Sequence, residues 1–196
     1  SMLVGLFLYN NALTGTIPIG LSGNSNLNQL TLSTNSLSGT VPSSLCDMDL
    51  STLTFQNNVD LVCYPDCLTT SVTTLNAGST PICGSLTIEP TSKPITQMPS
   101  QMPTMKLSVV PTTSPTTAVP TTAHPSLSEV YSLEALYDAT NGPNWLWSSS
   151  SGAGLIWNFS DITSQNPCDP VWQGIVYDNG NTAIVQLSLS GYGLNG

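Results

Sequence analysis

The strongest constraint on this chain is a 24-residue internal repeat. Leu3-x-x-Leu6-x-Leu8-x-x-Asn11-x-Leu13-x-Gly15-x-Ile17-Pro18-x-x-Leu21 aligns at every named position with Leu27-x-x-Leu30-x-Leu32-x-x-Asn35-x-Leu37-x-Gly39-x-Val41-Pro42-x-x-Leu45. A third, weaker copy reads Leu50-x-x-Leu53-x-Phe55-x-x-Asn58, with Leu61 one place late. A fourth begins as Ile184-x-x-Leu187-x-Leu189 and continues to Leu194 and Gly196. The Leu-x-Leu alternation predicts a short strand with its leucines turned inward. Asn11 and Asn35 stand where the chain must turn off the strand. Their amides both donate and accept, so stacked copies would form a ladder that satisfies the turn's backbone groups. Gly15 and Gly39 permit backbone angles closed to other residues, and Pro18 and Pro42 stiffen the return path. One such unit cannot bury its own apolar edge, so the copies must stack.

These residues resemble the plant-type leucine-rich repeat, L-x-x-L-x-L-x-x-N-x-L-x-G-x-I-P, of plant receptor kinases, polygalacturonase inhibitors and many secreted proteins. The resemblance covers residues 3 to about 61 and roughly the last dozen. It implies a leucine-rich-repeat solenoid of short parallel strands with an irregular or 3-10 convex side and a sheet that faces a ligand, without naming the ligand.

Composition narrows the setting. The chain has 196 residues, only two of them basic (Lys93 and Lys106), eleven acidic ones, and a formal charge of -9. Nucleic acid and anionic membrane surfaces are thereby excluded as partners, because both need clustered Lys or Arg. Charged residues make up 7% of the chain while Ser, Thr and Asn abound, the surface of a secreted rather than a cytosolic protein. No apolar run reaches the ~18 residues needed to span a bilayer.

Four of five cysteines, Cys46, Cys63, Cys67 and Cys83, fall close together, which points to two disulfides and an oxidising compartment. Zinc is disfavoured, because the one close pair, Cys63 and Cys67, has three residues between and no matching second arm. Stacking sets residue i beside i+23 or i+24 and so favours Cys46 with Cys67 and Cys63 with Cys83, although sequence alone leaves all three pairings open. Residues 1–86 thus read as repeats closed by a C-terminal cysteine cap.

From 87 to 126 the apolar periodicity vanishes and prolines recur among Thr and Ser, from Pro90 to Pro125, as in a semi-extended and O-glycosylated linker. His124 lies alone in it as a solvated residue. Residues 127–196 then read as an N-terminal-type repeat cap plus a first repeat. Ser126-x-x-Glu129 is a capping box, Val130, Leu133, Leu136 and Tyr137 form one helix face, and Asn141-Gly142-Pro143 stops the helix. Glu129, Glu134 and Asp138 are read as its wet face. Trp145, Trp147, Trp157 and Trp172 read mostly as core under the helix. The stretch from Ala135 to Trp145, with Pro167-Cys168 and Trp172-x-Gly174-Ile175, is similar to the cap that precedes plant-type repeats, except that Tyr177 replaces its second cysteine and orphans Cys168. Asn158-Phe159-Ser160 is an N-glycosylation sequon.

The order of parts predicts two incomplete units, an internal fragment joining the end of one repeat domain to the start of another. A sharper alternative docks the two halves, the opening cap covering the bare edge at Leu3 to Leu8 and leaving a half-coil gap between Gly196 and Leu3.

On the predicted sheet the outward residues are Gly5, Phe7 and Tyr9, then Gln29, Thr31 and Ser33, then Thr52, Thr54 and Gln56, and finally Gln186, Ser188 and Ser190. Phe7, Tyr9, Gln29, Thr31, Ser33, Thr52, Thr54 and Gln56 are the candidate ligand-binding residues, two aromatics beside neutral hydroxyls and amides. The expected function is an extracellular or cell-surface recognition module for a protein, peptide or glycan, with no cofactor and no metal. Alternatives are a structural or adhesive wall glycoprotein, and binding to a repetitive surface such as ice or polysaccharide, suggested by the aligned Thr31 and Thr54. No catalytic residue is expected. There is no phosphate loop, no G-x-S-x-G and no His in a folded segment, and Asp47, Asp49, Asp60 and Asp66 fall in capping loops where turn roles suffice.

Overall fold

Each Leu-x-Leu triplet forms a three-residue strand, because its alternation leaves one apolar face and neighbouring copies offer backbone partners at the same height. In the computed structural model, which describes residues 2–84, 125–150, 153–160, 167 and 171–196, the strands are β1 (Gly5–Phe7), β2 (Gln29–Thr31), β3 (Ser38–Thr40), β4 (Thr52–Thr54), β5 (Asp60–Cys63), β6 (Thr74–Asn76), β7 (Ile175–Tyr177) and β8 (Ile184–Ser188). Two α-helices, α1 (Leu68–Ser71) and α2 (Leu127–Ala139), and 3-10 turns at Ile19–Gly23, Ser43–Asp47 and Gly142–Asn144 accompany them. Residues 87–126 with their prolines, His124 and Cys168 lie outside the described residues, apart from Pro125 and Ser126 at the start of α2.

The expectation of a leucine-rich-repeat solenoid in two incomplete units is corrected here. The described residues form one mixed sheet of six strands in the order β6-β4-β2-β1-β8-β7, a separate two-stranded sheet of β3 and β5, and the two α-helices. Residues 1–86 and 123–196 belong to one compact unit. Two physical reasons account for the difference. The edge of β1 carries unpaired N–H and C=O groups over an apolar face, and β8 satisfies them with the parallel register Gly5↔Gln186 and Phe7↔Ser188. β7 and β8 are joined by the tight turn at Asp178–Ala183, so they must run antiparallel, and the sheet becomes mixed.

Across β1, β2, β4 and β6 all pairs are parallel, with Gly5 opposite Gln29, Gln29 opposite Thr52 and Thr52 opposite Thr74. The inward leucines build one hydrophobic cluster in which Leu30, Leu45, Leu53, Phe55, Leu68, Leu189 and Leu194 are wholly enclosed. At about 25 cal/mol per Å² of apolar surface, each such side chain contributes roughly 1.5–3 kcal/mol.

The asparagines hold successive turns together. The amide of Asn35 donates to Leu8 O at 2.9 Å and Leu32 O at 3.0 Å, while its oxygen accepts from Leu13 N at 3.0 Å. Asn58 repeats this one turn on, toward Leu32 O at 3.0 Å, Phe55 O at 2.9 Å and Leu37 N at 2.9 Å. Asn11 makes the same set with the far end of the chain, donating to Leu189 O at 2.8 Å and accepting from Leu194 N at 3.0 Å. The residue before each ladder position is left-handed, Asn10 at φ 58°, Thr34 at 55° and Asn57 at 59°, and Gly191 at 76° has that place in the β8 turn.

Helix α2 starts at its capping box, Ser126 Oγ accepting from Glu129 N while a Glu129 carboxylate oxygen accepts from Ser126 N at 3.0 Å. It ends before Asn141, which is left-handed at φ 60°. Beneath it Trp145, Trp157 and Trp172 are buried and Trp147 partly so, with Trp145 and Trp157 rings edge-on at 5.1 Å. Trp145 Nε1 donates to Thr140 O and Trp157 Nε1 to Gln173 O, both at 2.8 Å, which is how the two indoles are buried without an orphaned donor. Two disulfides, Cys46–Cys67 and Cys63–Cys83, tie the 3-10 turn Ser43–Asp47 and β5 to the segment beyond.

Candidate functional site

The sheet face turned away from the leucines is built in rows by the register. One row runs Ser188, Phe7, Thr31, Thr54, Asn76, and the row before it Gln186, Gly5, Gln29, Thr52, Thr74. Adjacent strands lie about 4.8 Å apart, so each row is a ladder of neutral side chains at that spacing. Val176 continues the second row beyond Gln186, and it is exposed. Every residue in both rows is uncharged, so the face offers hydrogen bonds and apolar contact but no field to attract an ion.

Each residue expected on this face has a definite place. Tyr9 is 47% exposed and Gln29 is open to solvent, whereas Phe7, Thr31, Thr52, Thr54 and Gln56 are half-buried. Ser33 is buried and offers no open surface. Gly5 has a specific role, since a Cβ there would stand 2.7 Å from Phe7 Cε2. The Phe7 ring therefore lies over the Gly5 backbone, held flat to the sheet rather than projecting from it.

Among the described residues, three enclosed side-chain oxygens on this side of the sheet lack a hydrogen-bond partner, Thr31 Oγ1, Gln56 Oε1 and Ser190 Oγ. An enclosed polar atom without a partner costs about 1–3 kcal/mol, which a ligand group or a rotamer change on binding would recover. Sequence reasoning missed Thr74 and Asn76, which extend both rows onto β6. Only Leu75 marks that strand as a repeat copy, and the Leu-x-x-Leu-x-Leu signature is absent from residues 68 to 76.

Elsewhere Glu129 has a cap role and Asp178 a turn role. Asp47, Asp49, Asp60 and Asp66 are exposed and separate from the face. Glu129 serves the capping box and also accepts from Ile184 N at 3.4 Å, a bond between α2 and β8. Asp178 accepts from the Thr182 hydroxyl at 2.8 Å and from the Thr182 and Ala183 N–H groups. The Thr182 side-chain bond, followed by these backbone bonds, holds its carboxyl below the usual aspartate range. Burial pushes the Tyr192 phenol up. Among the described residues no group of three or more His, Cys, Asp or Glu side chains could hold a metal ion, and no helix is long and apolar enough to cross a membrane.

No protein-family profile, curated protein or solved structure matches the chain. Two disulfides in one small unit are consistent with a protein of an oxidising, secretory compartment. Asn158 is exposed, with its side-chain oxygen accepting from Ser160 N at 3.0 Å in a local turn.

Proposed function

We propose that this protein is an extracellular recognition module that binds a peptide or glycan, free or on a protein, across the outward sheet face. The observation that carries this reading is the pair of in-register uncharged rows with Phe7 and Tyr9 beside them and three unpartnered enclosed oxygens. Aromatic surface supplies apolar contact, and fixed hydroxyls and amides supply direction without an ionic requirement. The two disulfides support the extracellular setting. The surface position of Asn158 supports a glycoprotein.

Glycan and peptide arrays probed with the intact protein test this reading. The expected result is a defined ligand set, weakened at least tenfold by Tyr9→Ala or Thr54→Lys and unchanged by Asp66→Asn, which lies off the face. Binding that ignores both face variants would move the site elsewhere. The reading as a binder of ice or a polysaccharide surface draws on the direct pairing of Thr31 with Thr54 and Thr52 with Thr74. Phe7 interrupts the first of these rows, and an ice-crystal growth assay separates the two readings.

A further inference from the structure

The segment 153–160 is tied to the chain that leads into β7. Leu155 N donates to Val171 O and Leu155 O accepts from Gln173 N, both at 2.8 Å. Trp157 turns inward, its Nε1 donating to Gln173 O at 2.8 Å, and Phe159 packs edge-on against Trp172 with ring centroids 5.0 Å apart. Ile156 and Asn158, on either side of the buried Trp157, are both exposed, so they share the outer side of the segment. Ile156 is 54% exposed, and Leu155 and Val171 beside it are open to water as well. The sequence has no charged residue between Asp138 and Asp161, so no ionic side chain of this stretch hydrates that aliphatic surface.

We propose that Asn158 carries an N-linked glycan whose first N-acetylglucosamine lies on Ile156, which makes the sugar a structural part of this end of the sheet. The inference rests on the reading of the chain as a secreted glycoprotein and takes it to a definite contact. Asn158-Phe159-Ser160 has the residues the transfer needs, with no proline at the middle position. In the transfer Asn158 Nδ2 bonds to C1 of the sugar and gives up one proton. The bond from C1 to the oxygen of a polyprenyl-diphosphate carrier breaks, and the diphosphate leaves with the electron pair. Ile156 is the docking point because it lies two residues from the attachment atom on the same side. The rings of Trp157 and Phe159 are fixed in the aromatic cluster, so the backbone of Asn158 is held and little chain freedom is lost when the sugar settles. The ring C–H groups and acetamido methyl of the sugar cover aliphatic surface, while its hydroxyls face water beside the edge strand β7.

The test uses the full chain secreted from cells that N-glycosylate. It compares the intact glycan, the glycan trimmed by an endoglycosidase to its first N-acetylglucosamine, and Ser160→Ala, which keeps Asn158 and the Ser160 N–H bond but accepts no glycan. Mass spectrometry reads occupancy and thermal melting reads docking. Asn158 should be occupied, and the intact and trimmed forms should melt together. Ser160→Ala should melt about 2–4 °C lower, the shift expected when roughly half an isoleucine side chain is returned to water. In an Ile156→Ser background the glycosylated protein and its Ser160→Ala variant should melt alike. An unoccupied Asn158 would overturn the modification together with the glycoprotein reading. An occupied Asn158 with no Tm difference for Ser160→Ala, or with the full difference persisting in Ile156→Ser, would overturn the docking alone.

Discussion

The asparagine ladder bonds the turn after β1 to the turn after β8 on one side and to the turn after β2 on the other. Asn35→Ala removes, besides a longer contact donated to Ser33 O at 3.3 Å, three hydrogen bonds, two donated to Leu8 O and Leu32 O and one accepted from Leu13 N, in a buried setting. At about 0.5–1.5 kcal/mol net for each bond the loss is about 1.5–4.5 kcal/mol. For a domain of this size that lowers Tm by roughly 3–18 °C. Asn11→Ala removes the equivalent bonds, but those to Leu189 O and Leu194 N belong to the segment after α2. Its effect should therefore be local as well as global. Native-state hydrogen exchange should show the Leu194 amide, bonded to Asn11 Oδ1, and the Ala12 amide, bonded to Leu194 O, opening faster in Asn11→Ala than in Asn35→Ala. Ser36→Ala, an exposed neighbour, controls for substitution as such. If Asn35→Ala melts with the unaltered protein, or if Asn11→Ala leaves exchange at Leu194 unchanged, the ladder does not hold the turns together.

Three further outcomes follow from the geometry. Thr34 is a β-branched residue held at φ 55°, so Thr34→Asn should stabilise by about 1 kcal/mol, and a lower Tm on thermal melting would refute the strain argument. Cys63→Ser with Cys83→Ser opens a loop with a sequence separation of 20, and should cost roughly 3 kcal/mol in denaturant unfolding under oxidising conditions, whereas an unchanged midpoint would mean the bond constrains nothing. Asp178 has a lowered folded pKa, so its contribution is present above the unfolded value of about 3.9 and is lost as pH falls through the lower folded value. An NMR titration of the Thr182 and Ala183 amides should find a midpoint below that of a free aspartate, and a midpoint at or above it would exclude the bonded turn.

The residues differ in how openly their roles could be read. The spacing of Leu3 and Leu27 reappears as the pairing of Gly5 with Gln29, because an inward leucine and its backbone register are set by the same alternation. The spacing of Cys46 and Cys67 brings them to a Cα separation of 5.8 Å, within disulfide reach. The capping box at Ser126 and Glu129 is likewise a local matter, decided within one helical turn. By contrast, Thr74 and Asn76 join the face on a strand with a single leucine, where packing against β4 overrides a weak local pattern. Ser33 is read as outward from its parity and is buried, since alternation fixes which face a side chain is on but not how its neighbours cover it.

By itself, the sequence determined strands β1, β2, β4 and β8, the ladder asparagines, the cysteine-rich segment and the uncharged character of the outward face. Each of these follows from short-range periodicity or from composition. Only the tertiary structure decided that β8 completes the edge of β1 and that β7 makes the sheet mixed. Asn11 bonds backbone groups 178 and 183 residues away. No local pattern encodes such a partner; it is selected because an open strand edge and an exposed apolar face are each costly in water, and β1 and β8 remove both costs by pairing.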